Sequence, residues 1–94
     1  MQRVFLIESD LSNADLRNVD LRGATINHSN FSNSNLSDSN LSSEFPIITV
    51  INNTNLNLAN ITNGNLYNTI ISNSDLEKAI LCKTIMPDGS ITSC

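Results

Sequence analysis

The stretch from Asn30 to Leu41 reads NFSNSNLSDSNL. Phe31, Leu36 and Leu41 are large and apolar, and the nine residues around them are all Asn, Ser or Asp. A spacing of five suits neither common secondary structure. An α-helix turns about 100° per residue, so every fifth residue drifts by about 140° and no apolar stripe forms. In a straight strand, odd spacing sends successive apolar residues to opposite faces. What remains is a chain that bends once per five residues, always in the same sense. Each short extended piece then turns one apolar side chain inward, the bends close a polygon, and successive polygons stack as a solenoid.

The period extends far beyond this stretch. Every fifth residue from Leu6 to Leu81 is Leu, Ile or Phe, with the single exception of Pro46. Two positions earlier runs a column of small or modest residues, among them Ala14, Ala24, Ser34, Thr54 and Gly64, broken by Glu44. The position between is mostly Asp or Asn, so the unit is small–Asx–Leu–polar–polar. Asn, Asp and Ser suit the corners, because their side chains bond nearby backbone and Asn tolerates left-handed conformations.

ADLRN from Ala14, SNLSD from Ser34 and ANITN from Ala59 resemble the Ala-(Asp/Asn)-Leu-x-x consensus of the pentapeptide-repeat family. The resemblance runs from about Val4 to Lys83. It implies an all-β fold, a right-handed quadrilateral parallel β-helix with four repeats per coil. Coils lie one strand spacing apart, about 4.8 Å, so roughly four coils make a stub about 20 Å tall. Four repeats per coil place residue n above n+20. The expected inward columns are therefore Leu11/Phe31/Ile51/Ile71, Leu16/Leu36/Leu56/Leu76, Leu21/Leu41/Ile61/Leu81 and Leu6/Ile26/Pro46/Leu66.

The last of these columns is broken. Glu44 falls on a small inward slot, where an unpaired carboxylate is costly, and Pro46 falls on a central slot and donates no ladder bond. The spacing predicts an irregular bulge near 43–48, inside a repeat domain spanning 1–83, that returns to register by Ile51. Residues 84–94 leave the pattern and read as a C-terminal cap, with Pro87-Asp88-Gly89 as its turn. The phrase TIMPDGS, from Thr84, also resembles the tail of cyanobacterial pentapeptide-repeat proteins. Cys82 and Cys94 flank this turn. They either pair in an oxidising compartment or stay thiols in a reducing one.

By the same register the bulged wall carries outward apolar residues: Phe5, Phe45, Ile47, Ile48 and Tyr67, with Ile7 and Ile85 near. Exposed apolar surface of this kind marks an interface. Its expected cover is a protein partner, a second copy, or the chain's own tail.

Composition removes several functions. The net charge is −4 and the five basic residues are scattered, which argues against nucleic-acid binding through phosphates. No run of about twenty apolar residues is present to insert in a membrane. The one histidine, His28, should point outward and lacks fellow ligands for a metal. Asp10, Asp15 and Asp20 fall on three different walls, so they do not pair for acid–base work. No catalytic, cofactor-binding or metal-binding residue is expected. The default compartment is the cytoplasm, or the periplasm or thylakoid lumen if a signal was removed. The reading is a non-enzymatic structural or protein-interaction module. The alternative, brought by the resemblance to longer family members, is a DNA-mimic inhibitor of the topoisomerase gyrase.

Overall fold

The computed structural model describes residues 4–43 and 47–94. The chain winds as a square tube. Four short strands, β1 (Phe5–Ile7), β2 (Thr25–Asn27), β3 (Val50–Asn52) and β4 (Ile70–Ser72), pair in parallel in the order β1-β2-β3-β4 and form one wall. The other three walls are ladders of single parallel bridges, such as Asp10↔Asn30↔Asn55, Asp15↔Asn35↔Asn60 and Asp20↔Asn40↔Asn65. Among the described residues the only helix is one 3-10 turn, Leu76–Lys78.

The corners follow from the Asx residue. Its side-chain oxygen accepts the N–H two positions on, as in Asn30 from Ser32 at 3.0 Å, Asn35 from Ser37 at 3.1 Å and Asn60 from Thr62 at 3.1 Å. The chain then closes a turn from the central residue to the next small one, as in Ala14 N–H to Leu11 C=O at 3.2 Å. The residue before that small one takes a left-handed conformation. Asn13, Asn18, Asn33, Asn63 and Asn68 all have φ between 58° and 61°, which Asn accepts more readily than other side chains. The strand wall carries Phe5, Thr25, Val50 and Ile70 where the other walls carry Asx, save for Ile80 and Ile85 in the last coil. Phe5, Val50 and Ile70 have no oxygen to accept that bond, Thr25 has only a hydroxyl, which does so more weakly, and three of the four are β-branched. The chain therefore stays extended there for three residues.

Inside, Leu21, Ile26, Phe31, Leu36, Leu41, Ile51, Leu56, Ile61 and Leu66 are all at most 3% exposed. Burial of each such side chain stabilises by roughly 1.5–3 kcal/mol. The small slots of the inner coils are closed as well, and most of their hydroxyls are bonded to backbone; Ser39 Oγ is buried without a partner. Ser29 donates to the Leu6 carbonyl at 2.8 Å, Ser34 to Phe31 at 2.7 Å and Thr84 to Ile61 at 2.6 Å.

The structure corrects the expected columns in the second half of the tube. Leu6 lies under Ile26, twenty residues on, but Ile26 lies under Ile51, twenty-five on. Ile51 lies under Ile71, twenty on again. The true columns are Leu6/Ile26/Ile51/Ile71, Leu11/Phe31/Leu56/Leu76, Leu16/Leu36/Ile61/Leu81 and Leu21/Leu41/Leu66. The chain keeps its five-residue phase through the break yet loses its place in the coil by one whole unit. Ser43 still sits in the fourth wall, its N–H bonded to the Tyr67 carbonyl at 2.8 Å. Thr49 fills the small slot of the strand wall and is fully buried. The ladder thus passes directly from Ser43 to Thr49. Glu44, Phe45 and Pro46, on which the expectation of a bulge partly rests, lie outside the described residues. The inward slots assigned to Glu44 and Pro46 are held by Thr49 and Ile51.

Two hydroxyls join the ladder across this step. In the regular walls the left-handed residue donates its N–H to the next coil directly, as Asn18 does to Ser37 C=O at 3.0 Å. At the step, Gly23 N–H donates instead to Thr49 Oγ1 at 2.7 Å, and that hydroxyl donates on to Ser42 C=O at 3.2 Å. Thr49 N–H in turn donates to Ser43 Oγ at 2.7 Å. The broken ladder bond is relayed, and the Gly23 and Thr49 N–H groups at the step both keep a partner.

At the C-terminus the fourth wall continues past Lys83. Ile85 bridges Asn65, and the Pro87 carbonyl accepts from Asn68 N–H at 3.0 Å. Thr84, outside the family-like pattern, still meets the size and hydrogen-bonding demands of a small slot. The chain then turns at Met86–Ser90 and runs back antiparallel, with Ile91 against Ile85. Cys82 and Cys94 are joined as a disulfide with their Cα atoms 4.5 Å apart.

Candidate interaction surface

The strand wall turns one column outward in which three of four side chains are apolar: Phe5, Thr25, Val50 and Ile70, in register from strand to strand. Phe5 is 72% exposed and Ile70 54%, with Thr25 and Val50 half-buried between them. Beside it runs a second outward column, Ile7/Asn27/Asn52/Ser72, in which Ser72 donates to Asn52 Oδ1 at 2.8 Å. Ile48, just before Thr49, is exposed as well. The result is a flat patch whose side chains repeat at strand spacing, about 4.8 Å.

This patch differs from the one expected. Phe5 and Ile48 belong to it, Ile47 is half-buried, and Phe45 lies outside the described residues. Tyr67 stands on the neighbouring wall, just after Leu66, and Ile85 on that same wall, because the one-unit step moved both. A Cβ added at Gly89, in the C-terminal hairpin, would meet the Tyr67 ring at 3.3 Å, so the hairpin runs beside this ring, which stays 46% exposed. Val50 and Ile70 were missed by the expectation and take the vacated places. Their signal is in the chain: each stands in a slot that on the other walls holds Asx except at Ile80 and Ile85.

The charged groups form no continuous array. Asp occupies the Asx slot in the first coil at Asp10, Asp15 and Asp20. The two coils above carry Asn there, at Asn30, Asn35, Asn40, Asn55, Asn60 and Asn65. Stacked carboxylates at strand spacing would repel, whereas stacked amides do not. Asp15 and Asp20 are each gripped by an Arg two positions on, with Arg17 and Arg22 donating Nε and Nη2 at 2.7–2.8 Å. The Arg17 guanidinium, helped by the Arg17 N–H, holds the Asp15 carboxyl below its ordinary pKa. The Ser12 hydroxyl and N–H do the same for Asp10, and those of Ser90 for Asp88. His28 sits at a left-handed corner with φ 52°. Among the described residues no three His, Cys, Asp or Glu side chains gather to hold a metal. No helix among them is long and apolar enough to cross a membrane.

Comparison with known proteins agrees with this geometry. The family model for pentapeptide repeats matches residues 5–42 in eight copies. No curated protein matches the sequence. Among solved structures the chain is similar to HetL, a pentapeptide repeat protein involved in heterocyst differentiation regulation, from the cyanobacterium Nostoc sp. strain PCC 7120. The two share 25% identity and superpose with a TM-score of 0.59 over 98% of this chain and 51% of HetL. The chain therefore spans about half the length of HetL. With the repeat, its left-handed corners and its stacked parallel strands all in place, the chain carries pentapeptide repeats over residues 5–42 and folds as a quadrilateral parallel β-helix like that of HetL.

Proposed function

We propose that this chain is a non-enzymatic protein-interaction module and that the outer face of the strand wall is its contact surface. The observation that carries this reading is the in-register column Phe5/Thr25/Val50/Ile70, apolar at all but Thr25, on the one wall built of true strands. Apolar surface at this density is costly to leave in water and is retained where another surface covers it. The likeness to HetL, a protein involved in regulation, supports a role exercised through contact. The DNA-mimic alternative needs a run of unpaired carboxylates, and here two of the three first-coil Asp side chains are bound to Arg and the inner coils carry Asn.

The test pairs Phe5→Ser with Ile70→Ser. Solution mass is measured at several concentrations, alone and with extract of the source cells. The expected result is a complex, or a self-associated species, that the unaltered chain forms and the folded double variant does not. Equal complex formation by both would refute the assignment. Inhibition of gyrase supercoiling at sub-micromolar protein would favour the alternative.

A further inference from the structure

A strict five-residue repeat makes the register of the stack degenerate. Slide everything after residue 43 by one unit and every central slot but that of Pro46 still holds Leu, Ile or Phe. The hydrophobic core alone therefore does not choose between a twenty-residue and a twenty-five-residue coil at this point. The outer surfaces of the two arrangements differ. In the twenty-residue arrangement the strand-wall column would read Phe5/Thr25/Phe45/Asn65, and Val50 and Ile70 would stack above Asp10 and Asn30. In the observed one, Val50 and Ile70 stand in line with Phe5 and Thr25.

Two side chains separate the arrangements. The unit Glu44-Phe45-Pro46-Ile47-Ile48 would place a carboxylate in a slot that Thr49 now fills without exposure. Burying that carboxylate unpaired is costly. It would also place Pro in a central slot. Central residues of the other walls donate their N–H across coils, as Leu16 does to Asn35 C=O at 2.7 Å and Leu36 to Asn60 C=O at 2.7 Å. Proline has no such donor. On the other side of the balance, the step between Ser43 and Thr49 is already mended by the Thr49 and Ser43 hydroxyls, so the Gly23 and Thr49 N–H groups keep partners without the unit in the ladder.

We propose that Glu44 and Pro46 act as a register lock: they make their own unit unfit for the tube, which turns the C-terminal half by one wall and so assembles the continuous apolar face from two separate halves. That this face is a contact surface rests on the function proposed above; the register itself does not. The test is nuclear magnetic resonance on the full chain, reading backbone Overhauser contacts between coils. The observed register puts Ser37 beside Thr62, as the Asp38 N–H bond to Thr62 C=O requires; the other puts Ser37 beside Asn57. The unaltered chain should give Ser37–Thr62 contacts alone. Glu44→Ala with Pro46→Leu should add a second set of peaks containing Ser37–Asn57. Each single replacement is measured beside the pair, so that a pair that does not fold still leaves a reading. Ser37–Asn57 contacts in the unaltered chain, or their absence from every folded variant, would overturn the lock. Because the readout is register and not binding, loss of the proposed contact function would leave it standing.

Discussion

If the ladder truly runs from Ser43 to Thr49, the five residues between them are dispensable to the stack. Deleting 44–48 joins Leu41-Ser42-Ser43 to Thr49-Val50-Ile51, which has the same slot order as Leu21-Arg22-Gly23-Ala24-Thr25-Ile26. The slot at Ser43 is left-handed in the coils below and above, at Gly23 (φ 77°) and Asn68 (φ 60°), so the deletion is made with Ser43→Asn. This avoids about 1 kcal/mol of strain that Ser would bear there. The relayed bonds through Thr49 and Ser43 give way to one direct ladder bond and one turn bond. Each is worth about 1 kcal/mol net, so the exchange is close to even. Shortening the connection from Leu41 to Thr49 from seven residues to two lowers its closure cost by about 1 kcal/mol. The shortened chain should therefore be more stable by about 1 kcal/mol, with Tm higher by roughly 4–8 °C. Urea unfolding followed by circular dichroism measures this, with amide exchange confirming that Gly23 remains protected. A loss of about 3 kcal/mol or more, or loss of protection at Gly23, would show that 44–48 builds part of the tube and would refute the argument.

Four further outcomes follow from single sites. A Cβ on Gly64 would sit 2.5 Å from Ile61 Cγ2, so Gly64→Ala should cost roughly 1–3 kcal/mol; adding Ile61→Leu, which removes the branch, should recover most of it in a double-mutant cycle. Leu58 is the one apolar side chain held at positive φ (62°) among the described residues, and it is exposed; Leu58→Asn should raise the urea midpoint by an amount equivalent to about 1 kcal/mol. Asp10, Asp15 and Asp88 have folded-state pKa values below their ordinary ones, so the unfolded chain binds more protons in acid. Their contribution is present above the unfolded carboxylate range, about pH 4, and is lost as pH falls through the lower folded values. Asp10→Asn, which keeps an acceptor for the Ser12 N–H, should flatten part of that fall in a pH series of melts. Reducing Cys82–Cys94, which closes a loop across a separation of 12 residues, should cost about 3 kcal/mol or less and speed exchange of the Lys83 and Thr92 amides first.

The tube was legible in the chain because its rules are local. One apolar residue in five, a small residue two before it and Asx between them dictate the bend, the inward column and the left-handed corner, each within a single unit. Asn13, Asn33 and Asn63 need no tertiary information to be corner residues. The wall that forms strands is written in the chain too, since Phe5, Thr25, Val50 and Ile70 lack the Asx oxygen that curls most of the other corners. Which units stack on which was not legible, because a five-residue repeat is unchanged by a shift of five. Pro46 and Glu44 announced a fault in the pattern but not whether the tube would absorb the faulty unit or pass it by. That choice depended on partners distant in sequence: Gly23 offering its N–H, Ser42 its carbonyl, and Thr49 a hydroxyl of the right reach to bridge them. The sequence by itself determined the shape of each repeat, because that shape is set by bonds spanning two or three residues. Only the tertiary structure decided the register, and with it the surface offered to a partner, because register is a comparison between whole coils whose interiors are nearly equal in energy.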